Sequence, residues 1–483
     1  MSDVFARRRA GVLLHPTSLP GPGATGTLGT DALRFVDWLV DGGFGVWQTL
    51  PLGPPDLHGS PYTLHSAFAG NPQLIDPGRL AELDELPSRM AFDAVHDAPA
   101  DAYRSYCELA RPEQQHLFVA FVQRNRKWLL PYALFELLRA RHRHAPWWEW
   151  PEDERKRSTE AVRRLLAAER KQLRAIMFRQ YLFDLSWSSL KRYANARGVR
   201  LFGDLPFYVH IDSVEVWWQP GLFQIDERGR PTAVAGVPPD YFNEDGQLWG
   251  NPLYDWPAHE RSGFEWWVRR LGHELTRFDL LRIDHFRALE SYWEVPAAAK
   301  TAREGRWQKA PGEKLLETLK TKLGEVPLVA EDLGLITDEV RALRDRFELP
   351  GMVVLQFAFD GLPDNPHVPA SHRRNQVVYT GTHDNDTAVG WYATIDDATR
   401  ARVRHFFNGD PVMPDAFLDT VYASPAQLAI VPLQDLIGLG SEARMNRPGS
   451  VEGNWRWRFE WRQIAPDIAI DARRRAERTA RLA

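Results

Sequence analysis

Short apolar runs recur along the chain, and each is followed by Gly, Pro or an acidic residue. The runs are rich in Leu and β-branched residues and lack a regular alternation of apolar and polar positions. That pattern is typical of strands that are buried on both faces, as in a parallel sheet. Eight strands are predicted in this way, at residues 11–14, 45–50, 199–204, 279–284, 326–331, 351–357, 376–380 and 428–431.

Helical spacing separates several of these strands. Leu33, Val36 and Leu39 recur at intervals of three or four residues after Thr30, a favoured residue for starting a helix. A second helix is predicted to begin after Thr337 for the same reasons. Strands that alternate with helices eight times predict an α/β protein built as a (β/α)8 TIM barrel.

Two intervals between the strands are too long for ordinary connections. Residues 55–195 follow the second strand, and apolar residues at helical spacing predict that 115–195 is mostly helical. Residues 205–277 follow the third strand. Within them, 236–254 is rich in Gly, Pro, Asn and aromatic residues, which favours a lid or binding loop. We therefore predict a single catalytic barrel over residues 1–483 with two inserted subdomains, the first of them mainly helical.

Composition and charge narrow the range of partners. The 60 Lys and Arg residues against 64 Asp and Glu residues give a net charge of −4, which disfavours a nucleic-acid partner. No apolar run reaches the roughly 18 residues of a membrane span, and no apolar segment of a secretory signal follows the charged N-terminus. The one cysteine, Cys107, excludes an internal disulfide and agrees with a reducing compartment. We expect a cytoplasmic protein, and no feature points to an obligate protein partner.

Aromatic residues make up 12 % of the chain, and Trp occurs in pairs at 147–148, 217–218 and 266–267. A large core explains such a content. A groove with flat apolar faces for sugar rings explains it equally well, so both interpretations stay open on composition alone.

Acidic residues stand at or just beyond the ends of four predicted strands. They are Asp204, Asp284, Glu331 and Asp384. In a (β/α)8 barrel these ends open onto the active-site face, and a carboxylate buried there needs a partner or a chemical task. Helix capping or an arginine partner explains any one of them. Four together suit glycoside cleavage, in which two carboxyls flank one bond.

The neighbours of these acids suggest different tasks. Arg282 lies two residues before Asp284, so their side chains share a strand face and the positive charge favours an ionised nucleophile. Glu331 must carry a proton to act as an acid, so we expect surroundings that raise its pKa. His285 and His383 each adjoin an acid, where hydrogen bonds to that acid or to sugar hydroxyls suit them.

Two other classes of protein would use some of the same residues. A metal-dependent hydrolase would use His285, His383 and the neighbouring acids as ligands. Adjacent strand residues point to opposite faces, which disfavours two ligands from one His–Asp pair. A non-catalytic glucan-binding protein on the same barrel is disfavoured because the acids occur together with Arg282.

Nearly the whole chain resembles the 4-alpha-glucanotransferases known as amylomaltases or disproportionating enzymes, family 77 of the glycoside hydrolases. The ordered set of matching segments makes the resemblance specific. These segments are 60–62, 66–72, 203–206, 235–242, 247–254, 282–287, 330–334, 381–385, 443–446 and 454–458.

The resemblance implies a retaining transfer of α-1,4-glucan segments among malto-oligosaccharides, amylose or starch, without a cofactor or a metal ion. It implies that Asp284 is the nucleophile, Glu331 the general acid/base and Asp384 the residue that stabilises the transition state. His285 joins the expected substrate-binding residues because of its place beside Asp284. The full set is Tyr62, Asp204, Gln247, Trp249, Arg282, His285 and His383.

Two residues differ from the family pattern, and a second glucan-cleaving activity is compatible with the acids. Phe207 and Arg447 depart from the pattern of the family, which affects the detail of substrate contacts and not the chemistry. The wider α-amylase clan shares the three acids, so a retaining glucan hydrolase is the alternative. Residues 236–254 and the lack of a separate C-terminal β domain favour the transferase.

Overall fold

The computed structural model describes residues 3–239 and 244–483, and twelve strands lie within these ranges. In chain order they are β1 (Arg9–Leu13), β2 (Val46–Gln48), β3 (Arg200–Leu205), β4 (Ala233–Val237), β5 (Gln247–Pro252), β6 (Leu280–Ile283), β7 (Ser291–Pro296), β8 (Arg306–Lys309), β9 (Leu328–Ala330), β10 (Gly351–Val354), β11 (Gln376–Tyr379) and β12 (Leu428–Pro432). Each of the eight predicted strands corresponds to one of these.

The eight predicted strands form one parallel sheet in the order β10-β11-β12-β1-β2-β3-β6-β9. The two strands at its edges also meet, because the N–H of Ala330 donates to the carbonyl of Pro350 at 2.8 Å. The sheet thereby curls round nearly to closure. The predicted (β/α)8 barrel is confirmed.

Neighbouring residues of one barrel strand pack into different parts of the core. On β12, Leu428 and Ile430 belong to the cluster inside the barrel, whereas Ala429 and Val431 belong to the cluster shared with the helices. All four side chains are fully buried. Both faces of the strand therefore require apolar residues, which explains why the sequence shows runs and not alternation.

Eighteen α-helices occur in the described residues. They are Thr30–Asp41, Pro77–Leu80, Ala94–Asp97, Pro99–Leu109, Pro112–Arg141, Glu152–Arg155, Thr159–Ala168, Arg170–Ala196, Val214–Trp218, Trp256–Arg261, Glu265–Arg277, Gly312–Leu323, Asp338–Arg346, Ala388–Thr394, Asp397–Phe407, Asp415–Ala423, Leu433–Leu436 and Pro466–Arg478. Both helices predicted from spacing are present. None of the helices in these ranges combines the length and apolar character needed to cross a membrane.

The interval between β2 and β3 is filled mainly by helices. Its two longest, Pro112–Arg141 and Arg170–Ala196, pack together around aromatic side chains. Phe118 and Phe178, for example, have ring centroids 5.5 Å apart. Helices were expected here, and the division of the chain into inserted subdomains stays a prediction.

Four strands form a second, antiparallel sheet in the order β5-β4-β7-β8, which the sequence did not predict. It joins the chain that follows β3 to the chain that follows β6. The interval 236–254, expected to be a loop, contains β5, and residues 240–243 lie outside the described residues. The first four residues of β5 are exposed. No apolar periodicity marks such a strand, because hydrogen bonds between main chains hold it.

Arg481 ties the last residues of the chain to the amino-terminal end of the barrel. Its side chain is fully buried. The guanidinium donates to the carbonyls of Ser424, Ala426 and Arg9 at 2.6, 2.7 and 3.1 Å. These carbonyls lie before β12 and at the start of β1, so one side chain links the two strands to the C-terminal segment.

Candidate active site

The barrel brings the four acids to one face, because parallel strands present their carboxyl ends together. Asp204 lies on β3, while Asp284 and Glu331 directly follow β6 and β9. Main-chain bonds extend the sheet to them: the N–H of Asp284 donates to Leu205 at 3.0 Å, and that of Glu331 donates to Ile283 at 3.1 Å. The sheet thus fixes the main-chain positions of these acids, and the hydrogen-bond partners of their side chains fix the directions of the carboxyls.

Arg282 holds two of the acids in place. Its guanidinium lies 2.5 Å from Oδ2 of Asp204 and 2.8 Å from Oδ1 of Asp284. Tyr62 donates its hydroxyl to the same Oδ2 of Asp204 at 2.7 Å. The side chain of Asp204 is 1 % exposed and that of Arg282 is 6 % exposed, against 30 % for Asp284. Asp204 and Arg282 therefore lie beneath the site, and Asp284 reaches its surface.

Glu331 is held by main-chain donors. Its Oε2 accepts from the N–H of His285 at 2.8 Å, and its Oε1 accepts from the N–H of Leu333 at 3.0 Å. His285 has φ of +51°, a left-handed conformation that is uncommon for a residue with a side chain. In this conformation the chain turns at the end of β6 while its N–H donates to Glu331.

The pKa values of both Asp284 and Glu331 are raised, first of all by burial. Burial raises the pKa of Asp284, the Arg282 ion pair lowers it, and the carboxyls of Asp204, Glu331 and Asp384 raise it again. Burial also raises the pKa of Glu331, against the influence of Arg282 and of its main-chain donors. The raised pKa expected for Glu331 is found. The ionised state expected for Asp284 is opposed by its surroundings, because burial and the neighbouring carboxyls raise its pKa to about 8 in spite of Arg282, the largest influence in the other direction.

Asp384 is positioned by residues from the end of the chain. Nδ2 of Asn446 donates to its Oδ1 at 2.6 Å, and Arg444 donates to its carbonyl oxygen, also at 2.6 Å. The Asp384 side chain is 46 % exposed, and His383 lies 3.4 Å from the same Oδ1. Sequence reasoning gave no role to Arg444 or Asn446, although both stand in the matching segment 443–446.

Aromatic rings flank the carboxyls on two sides. Beside Asp384, Tyr62 stacks on His383 with centroids 5.1 Å apart, and Trp455 lies within 6.0 Å of both rings. Trp455 was another residue without a role in the sequence reasoning, although it lies in the matching segment 454–458.

On the other side lies His285, whose N–H donates to Glu331; its ring centroid is 4.7 Å from that of Trp249, and Nε1 of Trp249 donates to Oε1 of Gln247 at 3.0 Å. Trp249 is 38 % exposed. Burial lowers the pKa of His285 to about 3, so that imidazole is neutral at physiological pH.

The two residues that depart from the family pattern lie in different surroundings, one buried and one exposed. Phe207 is buried and packs against Tyr208 and Tyr254, so it supports the wall and does not face the groove. Arg447 is exposed directly after Asn446, and its main-chain N–H donates to Asn454 at 3.0 Å.

The same face offers no set of metal ligands. Within residues 3–239 and 244–483, no group of three or more His, Cys, Asp and Glu side chains is arranged to hold a metal ion. His285 packs against Trp249 and His383 against Tyr62. The arrangement instead provides a carboxylate beside an arginine, a second carboxyl with raised pKa and a third held by an amide, all between aromatic walls. Such a set can cleave and reform a glycosidic bond.

Comparison with known proteins agrees with this chemistry. A family model described as 4-alpha-glucanotransferase matches residues 14–463. The 4-alpha-glucanotransferase of Thermus thermophilus is 48 % identical, with 98 % of this chain and 99 % of that protein covered. That of Aquifex aeolicus is 42 % identical, with 94 % and 96 % covered. The solved amylomaltase of Streptococcus agalactiae is 34 % identical with a TM-score of 0.92, and 99 % of this chain and 100 % of that chain are covered. The chain belongs to the 4-alpha-glucanotransferase family, family 77 of the glycoside hydrolases.

Proposed function

We propose that Asp284, Glu331 and Asp384 carry out glucan transfer in this enzyme by a double displacement with retention. The observation that carries the proposal is the ion pair of Arg282 with Asp284 next to Glu331, whose pKa is raised. The substrates are malto-oligosaccharides, amylose or starch. The amylomaltase of Streptococcus agalactiae was solved in complex with acarbose, which supports a substrate of this class.

In the first step the Asp284 carboxylate attacks the anomeric carbon of the donor glucan. Glu331 gives its proton to the glycosidic oxygen, the carbon–oxygen bond breaks, and the glycosyl group remains as an ester on Asp284. In the second step a hydroxyl of the acceptor glucan attacks the same carbon, Glu331 takes the hydroxyl proton, and the ester bond breaks. Two inversions leave the α configuration unchanged.

The roles of the two carboxyls follow from their partners. Asp284 has a charged donor at 2.8 Å, whereas Glu331 has only main-chain donors. An ion pair favours the charged form more strongly than a neutral hydrogen bond does. We therefore assign the proton of the pair to Glu331, although burial raises the pKa of Asp284 as well. To give up that proton, the Glu331 side chain rotates so that one of its oxygens leaves its main-chain N–H donor and faces the glycosidic oxygen.

Asp384 and the residues beneath the site have supporting tasks. Asp384 binds hydroxyls of the sugar ring at the reacting carbon, and Asn446 sets the direction of its carboxylate. His383 also takes part in binding that ring, while Asp204 keeps Arg282 in line with Asp284. Tyr62 supports Asp204 with its hydroxyl and offers its ring to the sugar.

Transfer requires that the acceptor sugar competes with water, present at roughly 55 M, for the glycosyl ester on Asp284. It can do so because a hydroxyl that is bound and oriented has a large effective concentration. Trp249 is exposed, and its ring lies against His285, whose main-chain N–H donates to Glu331. We place the departing glucan and the entering acceptor beside this ring. Its ring can stack on an acceptor sugar, with Gln247 and His285 as its neighbours. This aromatic wall supports transfer over hydrolysis.

Maltotriose as sole substrate tests the proposal. A transferase gives glucose and a ladder of longer oligosaccharides, while the number of reducing ends stays constant. Conversion to glucose and maltose, with reducing ends rising in step, would instead establish the hydrolase alternative. The proposal includes a cytoplasmic location, which is supported by the single cysteine, exposed and without a disulfide.

A further inference from the structure

A surface pocket lies apart from the carboxyl cluster, between the inserted helices and the barrel. Its volume is about 380 Å³, within the range of ligand sites. Three segments build it: Pro112–Arg141, the end of Val214–Trp218, and the first turns of Glu265–Arg277. The residues lining it are Arg126, Lys127, Leu130, Pro131, Trp218, Gln219, Glu265 and Arg269.

Three cations face one carboxylate in this pocket. Lys127 lies 2.8 Å from Glu265, and both side chains are more than half exposed. Arg126 has no ion pair within the described ranges. Arg269 donates to Oε1 of Gln219 at 3.2 Å, while its Nε is buried without a hydrogen-bond partner. Positive charge is thus in excess in this pocket.

Apolar and main-chain groups complete the pocket. Leu130, Pro131 and the half-buried ring of Trp218 form an apolar side, and a Trp ring suits the face of a sugar. Pro131 lies inside its helix and has no N–H, so the carbonyl of Lys127 lacks its usual helical donor. That carbonyl can accept a hydrogen bond from a sugar hydroxyl.

We propose that this pocket binds a glucosyl unit that carries a phosphate monoester. The phosphate meets Arg126, Lys127 and Arg269, since guanidinium and ammonium groups that converge are the usual partners of a phosphate dianion. The sugar ring lies on Trp218. The Lys127 carbonyl and the Glu265 carboxylate accept from its hydroxyls. The site is independent of the carboxyl cluster and does not rest on the roles assigned there.

Isothermal titration with glucose 6-phosphate tests the site, with glucose and inorganic phosphate as further ligands. We expect saturable binding of glucose 6-phosphate, weaker binding of phosphate and none of glucose. Added salt weakens binding because the contacts are ionic. A 6-phosphorylated maltotetraose, titrated into Asp284→Asn so that it is not turned over, separates the two sources of the group. Tighter binding than glucose 6-phosphate that Arg269→Gln weakens assigns a phosphorylated glucan, and equal or weaker binding assigns the free sugar phosphate.

Variants give the sharper test. Arg269→Gln and, as an exposed alternative that does not disturb folding, Lys127→Gln should each weaken binding about tenfold or more. Glu265→Gln removes the opposing charge but keeps an oxygen that accepts from a sugar hydroxyl, so it should strengthen binding. Arg124→Gln is the matched control, because Arg124 lies on the same helix two residues from Arg126 and does not line the pocket. Binding should persist in Trp249→Ala, which alters only the other site.

Absence of saturable binding of glucose 6-phosphate at millimolar concentration would overturn the proposal. So would equal losses in Lys127→Gln and Arg124→Gln, or a loss in Trp249→Ala, which would move the ligand to the catalytic face.

Discussion

Asn446 donates a hydrogen bond of 2.6 Å to Oδ1 of Asp384 across 62 residues of sequence. The bond fixes one carboxylate oxygen and leaves a side chain that is 46 % exposed to meet the substrate. A residue far along the chain thereby sets the direction of an acid that was recognised from its strand.

Asn446→Ala should lower kcat about tenfold to a hundredfold, with a smaller change in KM, because a misdirected carboxylate stabilises the transition state less than the bound substrate. Steady-state kinetics on maltotriose measures both constants. Arg447→Ala, one residue on and exposed, is the control and should keep the wild-type kcat. If the two variants lose activity equally, Asn446 does not position Asp384.

Asp284→Asn should fold like the wild type, since the side chains are nearly isosteric, and should lose turnover on the order of a thousandfold or more. An amide cannot form the glycosyl ester. Circular dichroism and thermal unfolding establish the fold, and product formation from maltotriose measures the loss. Retention of about a tenth of the activity would remove Asp284 from the role of nucleophile.

Arg282→Lys should shift the acidic limb of the pH profile to higher pH. Arg282 lowers the pKa of Asp284, and a lysine ammonium cannot bridge Asp204 and Asp284 as a guanidinium does. The pKa of Asp284 then rises, so more of the enzyme carries a protonated, inactive nucleophile at acidic pH. The pH dependence of kcat/KM measures this shift.

Arg344→Lys is the control for that shift, because Arg344 pairs with Asp332 beside the site but does not contact Asp284. An acidic limb that stays in place in Arg282→Lys would show that Arg282 does not keep Asp284 ionised.

Trp249→Ala should increase the share of hydrolysis. Loss of the ring weakens acceptor binding, so water captures more of the ester. The ratio of new reducing ends to longer oligosaccharides measures the share of hydrolysis. Leu248→Ala is the matched control, since Leu248 is 41 % exposed on the same strand and successive strand residues point to opposite faces. An unchanged ratio in Trp249→Ala would place the acceptor elsewhere.

Treatment with EDTA followed by dialysis should leave the transfer of glucan segments unchanged, because carboxyls supply both the nucleophile and the acid. The rate on maltotriose before and after treatment measures this. Loss of activity that a divalent ion restores would favour the metal-dependent alternative.

The buried strands could be predicted because a strand buried on both faces requires a run of apolar residues in the sequence. On β12 all five residues are buried, and the sequence shows an apolar run. The β5 strand is exposed at Gln247 and the three residues after it, so no apolar run predicts it. It pairs with the nearby β4, and β4 pairs in turn with β7, which follows β6 in the chain, so only the fold shows that these strands form one sheet.

The position of the four acids on one face of the barrel could be predicted because each stands at or shortly after a strand end. Their partners were harder to find. Arg282 lies two residues from Asp284 and was identified, whereas Asn446 reaches Asp384 from a loop with no periodic pattern. The buried positions of Asp204 and Arg282 also depend on side-chain packing, which spacing along a strand does not reveal.

The anchoring of Arg481 on the carbonyl of Arg9 means that the first barrel strand and the last segment of the chain are neighbours in space. The contact lies at the amino-terminal end of the barrel, opposite the carboxyl ends that carry the acids. A short linker from residue 483 to residue 3 would therefore allow circular permutation of the enzyme. New ends at the exposed Gly324, in the turn before β9, would leave every barrel strand intact. In such a permutant the order of the catalytic acids along the chain would change to Glu331, Asp384 and then Asp284, while their arrangement in space stayed the same.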